Sequence, residues 1–182
     1  DFIDVNDGLT GEPLEVGWFQ TWTNGRLDTL YLGSVVWGDT SHITTLPENI
    51  GNLTNLKKLN IGGTRITNLP ESIGYLSNLQ KLYLSNNQLT SIPNSIGNLK
   101  NLEKLQLSSN QLTSLPESIG NLSKLNYLGI MDNQIITLPE SIEDLSNILT
   151  LTLVNNQLTT IPQTIVTLNS LVYLYLHGNQ II

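Results

Sequence analysis

The chain has no cysteine, so disulfides, thiolate metal sites, iron–sulfur clusters and cysteine nucleophiles are all excluded. Its only histidines are His42 and His177, far apart in sequence, which leaves little room for imidazole chemistry and makes a metal site shared between them improbable. Positive charge is scarce. Lys plus Arg number 8 against 15 Asp plus Glu, a formal net charge of −7, which argues against a general phosphate-backbone binder and makes nucleic acid a poor partner. No apolar run approaches the roughly 18 residues that a bilayer crossing takes. Aromatic residues make up 6% of the chain, and they are unevenly placed: Phe2, Phe19, Trp18, Trp22 and Trp37 account for every Phe and Trp. That N-terminal stretch is also acidic, with Arg26 the one base among residues 1–45, whereas acids and bases nearly balance over 46–182. Two regions of different character share a chain whose 182 residues suit one domain.

What is present is a repeat. Pro47, Pro70, Pro93, Pro116, Pro139 and Pro162 are spaced 23 residues apart, and only Pro13 stands outside the series. The blocks between them align without a gap, as in LPESIGYLSNLQKLYLSNNQLTS from Leu69 and IPNSIGNLKNLEKLQLSSNQLTS from Ile92. A fixed period of this length means stacked structural units, none of which can bury its apolar side alone. In Leu82-Tyr83-Leu84 apolar residues alternate with an exposable one, the pattern of a short strand with one buried face. Asn87, Asn110, Asn133, Asn156 and Asn179 share one slot, where an amide can both donate to and accept from backbone groups that the bending chain leaves unpaired. An internal asparagine ladder is predicted. Thr64 takes that slot in the first regular turn and should bond its loop less completely. Each repeated proline suits the first position of a helical turn. Glu71, Glu117 and Glu140 follow it, where a helix dipole favours acids. Gly51, Gly74, Gly97 and Gly120 then limit the turn to a short helical or 3₁₀ piece.

The apolar pattern LxxLxLxxNxLxxLPxxIxxL, complete in Leu79, Leu82, Leu84, Asn87, Leu89, Ile92, Pro93, Ile96 and Leu99, resembles the leucine-rich repeat family. The resemblance covers about 27–182. It implies an α/β solenoid with a curved parallel sheet on the concave side and short helical or 3₁₀ turns on the convex side, and a non-catalytic scaffold that binds a protein partner on the concave face. No cofactor is expected. Such repeats are similar to those of bacterial surface or secreted proteins and of Ras-group scaffolds. The cysteine-bounded caps of animal extracellular members are absent, and the chain holds 22 asparagines; together these point to a bacterial exported protein, extracellular or on the cell surface, with a cytoplasmic location the alternative. Two other readings stay open: a recognition segment of a larger enzyme or effector, and a self-assembling structural module.

Residues 1–26 form an N-terminal cap segment in this reading, laying Trp18, Phe19 and Trp22 over the first turn. The first turn begins at Leu27 and carries an insert at 35–43, with Trp37 and His42 either overhanging the concave mouth or packing on the cap. The last repeat stops after Ile181-Ile182, so the expected state is a monomer or weak self-association through that uncapped edge. Strand alternation points the third, fifth and seventh residues of each LxxLxL to the concave solvent. The face changes character along the stack. Its first half offers Lys58, Lys81 and Lys104, which need no ligand to explain them. Its second half offers Tyr127, Met131, Val154, Tyr173, Tyr175 and His177, with Leu149 and Val172 flanking. Aromatic and Met enrichment marks the core of an interface, so the partner-binding candidates are Tyr83, Tyr127, Met131, Leu149, Thr150, Thr152, Val154, Val172, Tyr173, Tyr175 and His177. Other motifs carry less. Asp4-Val5-Asn6-Asp7-Gly8 lacks the EF-hand ligand spacing, the adjacent acids Glu143 and Asp144 have no acid–base partner, and the sequons at Asn52 and Asn121 arise from the repeat itself.

Overall fold

The computed structural model describes residues 20–23, 26–33 and 43–182. Eight strands follow in chain order: β1 Gln20–Thr23, β2 Arg26–Tyr31, β3 Lys58–Asn60, β4 Lys81–Tyr83, β5 Lys104–Gln106, β6 Tyr127–Gly129, β7 Thr150–Thr152 and β8 Tyr173–Tyr175. They form one sheet in the order of the sequence. Strands β2 to β8 are parallel, and the 23-residue period is the register itself: Lys58 faces Lys81, Lys81 faces Lys104, and Lys104 faces Tyr127.

At the other edge, β1 pairs antiparallel with β2, Gln20 opposite Leu30. It engages the backbone groups that the first parallel strand would otherwise leave open. Trp18, Phe19, Trp37 and His42, to which the sequence assigned capping or overhanging roles, lie outside the described residues.

Six 3₁₀ turns return the chain on the far side: Glu48–Asn52, Glu71–Tyr75, Asn94–Asn98, Glu117–Asn121, Glu140–Asp144 and Gln163–Thr167. The prolines do not occupy the first helical position, as their fixed φ suggested. They sit one residue earlier with extended backbone, Pro70 at φ −70° and ψ 152°. Their carbonyls accept the closing bond of the turn, as from Ile73 N to Pro70 O at 3.1 Å. The acid that follows also acts differently from a local dipole partner. Glu48, Glu71 and Glu117 each reach to the next turn, where Oε2 accepts from the backbone N–H of Ser72, Ser95 and Ser141.

Between sheet and turns runs one continuous core. Leu79, Leu82, Leu84, Leu89, Ile96 and Leu99 are all fully buried within one winding, and each contributes about 1.5–3 kcal/mol. The asparagine ladder is present. Asn110 Nδ2 donates to Leu84 O at 3.0 Å and Leu107 O at 2.8 Å, while its Oδ1 accepts from Leu89 N at 3.0 Å. Asn87, Asn133, Asn156 and Asn179 repeat the arrangement. Thr64 has one hydroxyl proton for two acceptors, Ile61 O and Asn87 Oδ1, so its turn is less fully bonded. Beside the ladder, one residue per winding turns left-handed: Gly63, Asn86, Ser109, Asp132, Asn155 and Gly178, with φ between 53° and 74°.

Candidate functional site: the concave face of the sheet

Alternation along each short strand sends its first and third residues out of the sheet, and parallel register stacks them into columns about 4.8 Å apart. None of the positions that form the third, fifth and seventh columns is acidic, although the protein carries 15 acids. Of its six tyrosines, five occupy these columns: Tyr31, Tyr83, Tyr127, Tyr173 and Tyr175. The sixth, Tyr75, is exposed on a 3₁₀ turn.

In the first half of the face the lysines alternate with tyrosine rings. Lys58 Nζ lies 4.8 Å from the centroid of Tyr31 and 5.3 Å from that of Tyr83. Lys104 Nζ lies 5.6 Å from Tyr83 and 4.4 Å from Tyr127. Ammonium groups over ring faces gain roughly 0.5–1 kcal/mol at exposed sites. The result is a five-membered run, Tyr31, Lys58, Tyr83, Lys104, Tyr127. Lys81 stands in register between the two bound lysines and is exposed. Sequence reading placed Tyr31 and Tyr83 in a different column from the lysines and so missed their diagonal contacts, which long side chains on adjacent strands can make; Lys104 and Tyr127 meet within one column.

Tyr127 ends that run and opens the second half. Its hydroxyl accepts from Gln106 Nε2 at 3.1 Å, and its ring leans over Gly129, where an added Cβ would come within 2.9 Å of Cε1. The missing side chain is what gives the ring its place. Two strands on, the Tyr173 and Tyr175 rings stack with centroids 6.2 Å apart and planes 10° from parallel. They are 55% and 44% exposed, beside Val172 at 64% and Leu149 at 47%. Leu149 also lines a depression of about 420 Å³ with Glu103, Lys124, Asn126, Asn147 and Ser170. Thr150 and Met131 are half-buried and His177 is exposed.

Two candidates are corrected. Thr152 and Val154 are only 6% and 4% exposed. Alternation gives a side chain's direction but not its cover, and each of these short β-branched groups stands beside at least one longer neighbour in the stack, the other neighbour of Thr152 being Gly129. Thr152 is in register with Tyr175, and Val154 falls between Met131 and His177 in the seventh column. Tyr127 and Tyr173, each in register with the half-buried Thr150, stand two strand spacings apart, about 9.6 Å.

The profile described as "Leucine-rich repeat region" matches residues 31–115 and 109–182. The chain belongs to the leucine-rich repeat family. Members of this family are in general protein-interaction scaffolds. Among solved structures, this leucine-rich repeat chain is similar to a Leptospira interrogans leucine-rich repeat protein, at 38% identity and a TM-score of 0.60 over 75% of this chain and 41% of that one. It is also similar to an internalin from Listeria monocytogenes, at 27% identity and a TM-score of 0.65 over 76% of this chain and 40% of that one. The leucine-rich repeat ectodomain of an Arabidopsis thaliana membrane receptor kinase, solved in complex with Casparian strip integrity factor 2, gives 32% identity and a TM-score of 0.73 over 79% of this chain and 18% of that one. The chain thus spans about two fifths of each bacterial relative. No curated protein sequence matches. Among the described residues no helix is long and apolar enough to cross a membrane.

Proposed function

We propose that this leucine-rich repeat chain is a non-catalytic recognition module of a bacterial surface or secreted protein, and that it holds a protein partner on its concave face. The observation that carries this reading is the distribution of tyrosine: five of six lie in the concave columns, and the two most exposed of those five are stacked beside Leu149 and Val172. Tyrosine offers a large apolar area with a polar tip at low ordering cost, which is why it is enriched where proteins meet. Short strands locked into a hydrogen-bonded sheet keep these side chains at fixed separation, so little freedom is lost when a partner docks. The similarity to bacterial leucine-rich repeat proteins, an internalin among them, supports the surface setting.

The test is a pull-down from bacterial-surface and host-cell fractions, followed by titration of whatever is captured. Replacing Tyr127, Tyr173 and Tyr175 together by Ala should weaken the captured partner at least tenfold. Tyr75→Ala, on the opposite side, should leave it unchanged. Equal affinity for the triple variant and the parent would refute the concave-face assignment.

A further inference from the structure

The concave face differs from the rest of the molecule in charge as well as in aromatic content, and the two differences occupy different halves of it. Acids outnumber bases in the protein, 15 to 8, yet the concave columns hold Lys58, Lys81 and Lys104 and no carboxylate. These lysines stand in register on three consecutive strands, where like charges repel one another. The tyrosine rings that hold Lys58 and Lys104 orient the ammonium groups without neutralising them, because a ring face carries a quadrupole and no net charge. Each ammonium keeps donors for an anion. Lys81, exposed between them, adds a third charge with no ring contact.

We infer that the partner presents an extended acidic segment followed by an apolar anchor, laid across strands β3 to β8 so that its carboxylates meet Lys58, Lys81 and Lys104 and its anchor packs on the exposed Leu149, Val172, Tyr173 and Tyr175. The inference rests on the protein-binding reading above and names the chemistry of the partner. Three observations select this occupant. Although the lysines need no ligand to be stable, charge complementarity selects an anion over a cation on the first half. The exposed Leu149, Val172 and stacked tyrosines of the second half require apolar side chains, which an anionic polysaccharide lacks. The lysines stand in one row on adjacent strands, a line that an extended chain follows. The dimensions also fit. From β3 to β8 is five strand spacings, about 24 Å, which an extended chain covers in about seven residues. A segment of that length is ordered only on docking, and the rings that pre-set two of the three lysines reduce the ordering left to be done on this side.

The test uses four probes titrated against the protein by isothermal calorimetry: a synthetic peptide with an acidic first half and a Leu/Trp second half, the same peptide with Gln for its acids, the same peptide with Lys for its acids, and polygalacturonate. The acidic peptide should bind at least tenfold tighter than the Gln peptide, and its affinity should fall as salt rises. The Lys peptide should not bind. Lys58→Gln/Lys81→Gln/Lys104→Gln should abolish the preference for acid, whereas Lys58→Arg/Lys81→Arg/Lys104→Arg, which retains charge and ring contact, should keep it. Thermal melting of both triple variants reads folding independently of binding. Tyr173→Ala/Tyr175→Ala should weaken the acidic and Gln peptides by the same factor. Equal binding of acidic and Gln peptides, or polygalacturonate competing as tightly as the acidic peptide, would overturn the inference. A captured protein partner sensitive to the tyrosine substitutions but indifferent to salt and to the lysines would overturn it alone. A partner indifferent to both sets would overturn the protein-binding assignment as well.

Discussion

The two flanks of each winding keep the same 23-residue step by different physics. On the asparagine flank, Asn110 satisfies one N–H that would otherwise be buried and unpaired and shares two carbonyls with its ladder neighbours, Leu84 O with Asn87 and Leu107 O with Asn133. On the 3₁₀ flank the fit is steric. A Cβ on Gly97 would fall 2.5 Å from Ser118 O, and one on Gly74 the same distance from Ser95 O. Polar satisfaction is incomplete there, since Ser72, Ser95, Ser118 and Ser141 bury hydroxyls that have no partner. The windings after Gly120 show what each device tolerates. The glycine slot becomes Glu143 and then Val166, the serine slot becomes Thr164, and the turns Glu140–Asp144 and Gln163–Thr167 pack less closely than the others. Pro162 shifts to φ −54° and ψ 135°. The asparagine ladder nevertheless continues unbroken through Asn156 and Asn179. A steric fit can open by a few tenths of an ångström and still close a winding, whereas a missing amide leaves a buried N–H with nothing to replace it.

The largest expected effect follows from that asymmetry. Asn110→Ala strands Leu89 N and removes one of the two amide bonds that Leu84 O and Leu107 O each accept; at about 1–3 kcal/mol for the unsatisfied N–H and about 0.5–1.5 kcal/mol for each lost bond, the loss should be about 2–5 kcal/mol. Urea denaturation of the variant measures it. Gly97→Ala comes next, at about 2–3 kcal/mol destabilising, although Ala is ordinarily the better residue in a helical turn by about 1 kcal/mol. If Gly97→Ala proved neutral, the close approach to Ser118 would not be what holds that flank in step.

The windings were legible in the sequence because their causes are local and repeated: alternation sets the strand, the asparagine slot sets the ladder, and the proline interval sets the turn. Causes that act between windings were harder to read. Glu71 appeared to serve its own turn, but its carboxylate accepts from Ser95 N, 24 residues on, and nothing in a single repeat distinguishes the two. Gly97 read as a limit on helix length, while its function is to admit the next backbone. The left-handed slot was available as a row of turn formers, Gly63, Asn86, Ser109, Asp132, Asn155 and Gly178, 23 apart, and needed only to be compared vertically. At the candidate site the columns were right in direction. The Lys–Tyr run was missed because its contacts to Tyr31 and Tyr83 cross from one column to another, and Thr152 and Val154 were misplaced because alternation gives direction and not cover.

The smaller predictions separate the flanks further. Ser118→Ala deletes a buried hydroxyl that has no partner and keeps the Cβ against which Gly97 packs, so it should stabilise by about 0.5–1 kcal/mol. The same change in a satisfied hydroxyl would destabilise, which makes the sign of the melting shift the readout. Ser109→Asn should have the smallest effect. Ser109 is held at φ 58°, where a Cβ costs about 1–2 kcal/mol and asparagine recovers part of that through local hydrogen bonds. A gain of a few tenths of a kcal/mol, about 1 °C in Tm, is expected, because Asn86 and Asn155 already take the same slot at φ 59° and 53°. The left-handed slot adjoins the ladder without belonging to it. A gain at Ser109 alongside a large loss at Asn110 would show that adjacent residues of one bend answer to different constraints, backbone strain in the first and buried polarity in the second.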